Sequence, residues 1–170
     1  EFVWATSWGI STRLIGAVIL THGDSKGLRI PPNIAPIQLV IIPIFKNETQ
    51  KEMIKCFLKP ITLKLKNLGI RMKEDWTDNS PGYKFNEWEL KGVPLRLEIG
   101  PRDIKKNIII LARRDTGEKI SIPKVNIESS VETLLQNIQK NLLKQAKEFR
   151  DENTHDASDY DQLKKIILKG

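Results

Sequence analysis

Residues 81–103 read PGYKFNEWELKGVPLRLEIGPRD. The first ten of them spell a short amphipathic helix, which Gly92 and Pro94 bring to an end. Leu95, Leu97 and Ile99 then alternate with Arg96 and Glu98, the pattern of a strand with one apolar face, and the strand runs out into Gly-Pro-Arg-Asp. On the helix stand three rings read as exposed, Tyr83, Phe85 and Trp88, and the carboxylate Glu89. Glu89 follows Phe85 by four residues, so a helix turns both to one side. Rings that stack, a carboxylate that reads base edges and surplus cations that hold phosphate are what unstacked nucleotides require of a protein. The plainer reading is that aromatics in a short amphipathic helix are core.

The flanks give this helix and strand their frame. Upstream, PIQLVIIPIF at residues 36–45 is a nearly continuous apolar run, as in a strand covered on both faces. Pro43 predicts that its useful hydrogen bonding ends near Ile42. Asn47 and Gln50 make a capping box for a helix whose stripe is Met53, Ile54, Phe57, Leu58, Ile61, Leu65 and Leu68. Pro60 predicts a kink or break in it, and Gly69 its end. Residues 70–76 read as a second strand, and strand–helix–strand at this length implies a parallel crossover. Residues 76–82, WTDNSPG, are a loop.

Downstream, residues 107–112 are a buried strand, RRDTGEK at 113–119 a charged solvated turn, and residues 120–122 a short strand. Ser129 with Glu132 caps the longest helix, with Val131, Leu135, Ile138, Leu142, Ala146 and Phe149 in one stripe against the sheet. The fold class is therefore α/β: a mixed, mostly parallel five-stranded sheet flanked by helices over about residues 36–150. Ahead of it, residues 4–10 read as a strand. A helix follows through Leu14, Ile15, Val18 and Ile19, capped by Ser11 or Thr12 and stopped by Gly23. Pro31, Pro32 and Pro36 mark a link and a domain boundary.

A chain of 170 residues with 39% hydrophobic content can bury one core with something left over. Its net charge of +7 favours an anionic partner. Between residues 81 and 124 ten Lys and Arg face six Asp and Glu, so most of the excess sits in one quarter of the chain. Cys56 is the single cysteine, read as a small buried hydrophobe, which excludes an internal disulfide and a multi-cysteine zinc site within these residues. There is no apolar run of eighteen residues, and residues 1–13 lack a signal-peptide layout, so a cytoplasmic location without membrane partners is expected.

The run PGYKFNEWELKGVP with its following GPRD resembles the anticodon-binding domain of the prolyl-tRNA synthetases of archaeal and eukaryotic-like type. SWGISTRLIG at residues 7–16 resembles motif 3 of class II synthetases in the prolyl form. The resemblance implies that Phe85, Glu89, Arg102 and Lys119 read the anticodon of tRNA-Pro, which carries two consecutive guanines. A carboxylate accepts from guanine N1 and N2, and a cation donates to O6 and N7. It implies that Arg13, the one catalytic residue expected here, clamps ATP, and that Ser7, Trp8 and Gly9 line the ATP and prolyl-adenylate pocket.

By the same resemblance, residues 1–32 close a class II catalytic domain, 33–152 form the anticodon-binding domain, and 153–170 open a C-terminal domain. Motifs 1 and 2 should lie upstream. The whole enzyme would be a homodimeric proline–tRNA ligase using proline and ATP with Mg2+, no metal ligand falling within these residues, and this chain alone should make no prolyl-adenylate. Two other functions fit the fold. One is a free-standing RNA-binding module without catalysis, against which an intact motif 3 argues. The other is a small-ligand domain using the loops at the strand ends.

Overall fold

The computed structural model describes residues 3–168. Its centre is a five-stranded sheet in the order β2-β1-β3-β4-β5. The strands are β1 (Leu39–Pro43), β2 (Met72–Glu74), β3 (Leu95–Ile99), β4 (Ile108–Arg113) and β5 (Lys119–Pro123). The helices are α1 (Arg13–His22), α2 (Glu48–Asn67), α3 (Pro81–Leu90), α4 (Pro101–Lys106), α5 (Ile127–Glu152) and α6 (Tyr160–Leu168). β1 pairs in parallel with β2 and β3, while β3–β4 and β4–β5 are antiparallel. The sheet is mixed as expected but only half parallel. The charged turn 113–119 makes β4–β5 a hairpin, and α4, unforeseen in the sequence, is too short to return the chain for a parallel β4.

Every residue of β1 is buried, the burial demanded of a central strand covered on both sides. Leu39 and Ile41 face one way, with Leu95, Leu97, Ile99, Ile109, Leu111 and Ile122, into a core closed by Ile54, Leu58, Ile61 and Leu65 of α2 and Val131, Leu135, Ile138 and Leu142 of α5. Each such aliphatic side chain contributes about 1.5–3 kcal/mol by leaving water. Val40 and Ile42 face the other way, against Trp88, Val93, Ile37 and Phe85. Register places Arg96 and Glu98 of β3, Ile110 and Ala112 of β4, and Lys119 and Ser121 of β5 on this second face. α3 packs against β1. The second face therefore has a helix over its β1 side and a polar, charged surface toward β5.

Several local expectations are corrected. Residues 4–10 form no strand and have no pairing partner among the described residues; a strand needs a neighbour to satisfy its backbone. β1 extends one residue further than Pro43 predicts, because Ile44 N still donates to Ile99 O at 2.8 Å and Pro43 ends the strand. α2 runs through Pro60 without a break. Its N-cap Asn47 accepts from Gln50 N at 2.9 Å, but the Gln50 side chain reaches Lys46 N rather than the cap's own. β2 is confined to three residues.

α5 starts two residues before Ser129, whose hydroxyl donates back to Asn126 O, and Phe149 at its far end is exposed. Cys56 is exposed, since the buried stripe of α2 at 54, 58, 61 and 65 puts position 56 on the opposite side. Among the described residues no helix is long and apolar enough to cross a membrane.

Candidate nucleic-acid interface

α3 carries two of the expected readers, and its seating is set by the side of the helix that the sequence made hardest to interpret. Trp88 is buried rather than exposed. Its indole Nε1 donates to Asp75 Oδ2 at 2.7 Å, and the ammonium of Lys84, also buried, donates to Asp75 O at 3.1 Å. Burial, the largest influence on Asp75, pushes its carboxyl upward, but hydrogen bonds from Thr77 and Trp88 outweigh it and hold the group below its ordinary value. With Trp88 and Lys84 turned inward, the helical period sends Phe85 and Glu89 to the flank of α3 that overlooks β3.

Phe85 is half-buried there, and two cations of the sheet stand against its ring. Arg96 Cζ lies 4.5 Å from the ring centroid and Lys119 Nζ 5.1 Å. Glu98 joins them from below: Arg96 Nε donates to its Oε1 at 2.9 Å and Lys119 Nζ to its Oε2 at 2.8 Å. Glu98 is buried at 5% exposure, so two cations against one carboxylate leave a net positive platform beside an aromatic ring. Lys119 is among the readers that the resemblance implies, whereas the alternation of β3 marks Arg96 and Glu98 only as a strand's polar face. The signal for them was the parity of β3 and β5, which needs the strand register to be used.

Glu89 lies one helical turn along from Phe85, on a cavity of about 200 Å3 lined by Trp88, Val93, Arg96, Arg113, Arg114 and Lys26, among others. Lys26 Nζ is 3.4 Å from Glu89 Oε1. Arg114 Nε donates to Glu89 O at 3.0 Å, and its other two nitrogens grip Asp24 at 2.8 and 2.7 Å. The Arg114 hydrogen bonds are the chief reason that the Asp24 carboxyl sits far below the usual carboxylate range. Arg113 makes the same kind of fork on Asp115, which also accepts from Asn141 of α5 at 2.6 Å. The first half of the 113–119 turn is thus anchored, with Arg114 and Asp115 buried, while residues 116–119 are exposed as the charges suggest.

The remaining expected residues lie elsewhere. Arg102 is exposed on α4, past the C-terminal end of β3, and no hydrogen bond or ion pair among the described residues joins it to Phe85 or Glu89. Its neighbour Asp103 instead holds the start of α4, accepting from Gly100 N at 2.8 Å. Ser7, Trp8 and Gly9 are exposed in an irregular stretch, and Arg13 is exposed as the first residue of α1. Among the described residues no group of three or more His, Cys, Asp or Glu is placed to hold a metal ion.

The sequence profile of the family described as the anticodon binding domain matches residues 38–137. Over 168 residues, 98% of this chain and 34% of the relative, the sequence is 51% identical to the proline–tRNA ligase of Cytophaga hutchinsonii. It is 48% identical over 171 residues to that of Bacteroides fragilis and 46% identical over 174 residues to that of Chloroflexus aurantiacus. Each of these covers 100% of this chain and 34% and 36% of the relative, respectively. The chain thus spans about a third of the length of the curated relatives it matches. All five strands, α2, α3 and α4 lie within residues 38–137, a profile that covers more than half of the chain and ends inside α5, so the chain belongs to the anticodon binding domain family.

Proposed function

We propose that this chain is the anticodon-reading part of a proline–tRNA ligase, with residues 33–152 as the domain that holds the tRNA. The observation that carries the reading is the platform of Phe85, Arg96, Lys119 and Glu98 beside the carboxylate of Glu89, within a chain about half identical to such ligases. A base splayed from the anticodon loop stacks at Phe85, Glu89 accepts from the N1 and N2 donors of guanine, and Lys119 supplies positive charge. Arg102, at the other end of β3, engages a different nucleotide from the one at Glu89. β3 is five residues long, on the order of 13 Å, too long for one base to bridge.

In the whole enzyme, residues 1–32 close the catalytic domain and 153–170 lead into a C-terminal one. Proline would attack the α-phosphate of ATP, releasing pyrophosphate, and the prolyl group would then pass from AMP to the terminal ribose of tRNA-Pro. Arg13 suits a phosphate, since a guanidinium pairs with it in a fork. Ser7, Trp8, Gly9 and Arg13 include no carboxylate, so Mg2+ would take its ligands from other segments. That enzyme is a cytoplasmic homodimer joined through upstream segments.

The test is binding of this chain to an RNA stem-loop bearing the proline anticodon. Glu89→Gln or Arg102→Ala should each weaken it by about 1–3 kcal/mol, and neither should weaken a loop whose guanines are replaced. Affinity should fall steeply with salt, as phosphate contacts require. Equal losses on both loops would reduce these residues to phosphate or structural contacts, and indifference to salt would favour a small neutral ligand.

A further inference from the structure

Residues 24–27 turn back on themselves, with Asp24 bridged to Gly27, and the turn is fixed to the C-terminal end of α3. Leu28 N donates to Leu90 O at 3.0 Å and Ile30 N to Gly92 O at 3.1 Å, and the Arg114 fork on Asp24 holds the turn from the sheet side. Gly27 and Gly92 both have positive φ, and a Cβ on either would stand 2.6–2.7 Å from the opposing backbone, so the two segments touch main chain to main chain. A turn held this way delivers Lys26 to the mouth of the Glu89 cavity.

Four cations line that cavity: Lys26, Arg96, Arg113 and Arg114. Three are committed to other carboxylates, Arg96 to Glu98, Arg113 to Asp115 and Arg114 to Asp24. Lys26 differs, because its ion pair is with Glu89 itself, at 3.4 Å, and its side chain is 67% exposed and free to turn. With its lysine end in solvent the pair is screened and adds little to stability, and both groups face the mouth of the cavity together.

We infer that Lys26 is a specificity-determining residue, forming with Glu89 an ammonium–carboxylate pair that reads the Watson–Crick edge of guanine. On that edge an acceptor, O6, adjoins two donors, N1–H and N2–H. Glu89 accepts from the donors while Lys26 donates to O6. Adenine offers a donor at N6 and an acceptor at N1, so the same pair meets it with the wrong polarity at both positions, leaving charged groups unsatisfied. The inference rests on the proposed reading of a base by Glu89.

The test uses this chain with stem-loop RNAs in which each anticodon guanine is replaced, one at a time, by inosine, which lacks the N2 amino group, or by 6-thioguanine, in which the weaker acceptor sulfur replaces O6. At one of the two positions the unaltered protein should bind both analogues more weakly than guanine. Lys26→Met should lose roughly tenfold on the guanine loop, one charged hydrogen bond's worth, and should no longer distinguish guanine from 6-thioguanine while still distinguishing inosine. Glu89→Gln should do the reverse. Should Lys26→Met weaken guanine and 6-thioguanine loops alike, or neither, Lys26 reads no O6 and the inference is overturned with the role of Glu89 intact. If the unaltered protein treats inosine as guanine at both positions, the base-reading role of Glu89 fails, and the inference with it.

Discussion

Arg114 and Asp24, ninety residues apart, face each other through two parallel hydrogen bonds of 2.8 and 2.7 Å, and the same guanidinium holds the carbonyl of Glu89 at 3.0 Å. One side chain thereby fixes three segments: the turn after α1, the end of α3 and the start of the β4–β5 hairpin. Arg114→Ala should cost about 2 kcal/mol in chemical denaturation, as expected for a buried charged hydrogen-bond network. Limited proteolysis should show new cleavage between residues 24 and 30. An unchanged cleavage pattern would mean that the backbone bonds to Leu90 and Gly92 suffice without the fork.

Gly27, Gly92 and Gly69 all have positive φ but different surroundings. A Cβ at Gly69 meets open space, whereas one at Gly27 strikes Leu90 and one at Gly92 strikes Leu28. Gly69→Ala should therefore cost about 1 kcal/mol, for the backbone conformation alone. Gly27→Ala and Gly92→Ala should each exceed it by at least about 1 kcal/mol and should also weaken RNA binding, as they pry the Lys26 turn from α3. Melting temperatures of the three variants give the ranking directly.

Trp88→Phe removes the indole donor to Asp75 and keeps most of the ring. The variant should lose about 1–3 kcal/mol of stability, the cost of leaving a buried carboxylate oxygen without its partner. Because Phe85 and Glu89 ride on the same helix, affinity for the anticodon loop should drop as well. Wild-type stability in this variant would show that Lys84 and Thr77 alone satisfy Asp75.

Glu98 is held between Arg96 and Lys119. Glu98→Gln removes the charge that both cations face, which should destabilise the fold by about 1–3 kcal/mol. It should also leave the platform with one more uncompensated positive charge, so that log affinity for RNA falls more steeply with log salt, by about 0.7 in slope for one added phosphate contact. A salt slope equal to that of the unaltered chain would place the platform away from the phosphates.

Acid should unfold the domain through three carboxylates. Asp24 is held low chiefly by Arg114; at Asp75 and Asp115 burial acts upward but loses to hydrogen bonds, from Thr77 and Trp88 in one case and Arg113 and Asn141 in the other. All three fold with pKa values below those of the unfolded chain. The unfolded state therefore takes up protons first, and the stability they confer is whole above about pH 5 and drains away as pH falls through 4 and below. Denaturation midpoints measured from pH 7 to pH 3 should trace this loss, and Asp24→Asn should flatten it while lowering the plateau.

What the sequence determined is whatever local pattern determines. The unbroken apolar run of β1, the stripe of α2, the alternation of β3 and the glycine stops each follow from neighbours along the chain, although Met53 and Leu68 at the two ends of the α2 stripe are exposed. That Phe85 and Glu89 share one side of α3 follows from their four-residue spacing in the same way, whereas the reading role proposed for them comes from the resemblance. Tertiary structure alone decided which charges face which. Glu98 and Glu89 look alike in sequence, yet strand register buries one between two cations and helix phase leaves the other on a cavity. RRDTGEK reads as solvent-facing until a turn from near residue 24 and a helix from near 141 arrive to pair with Arg114 and Asp115. Electrostatic partners act across space and are chosen by which backbones the fold brings together, so no periodicity along the chain could have named them.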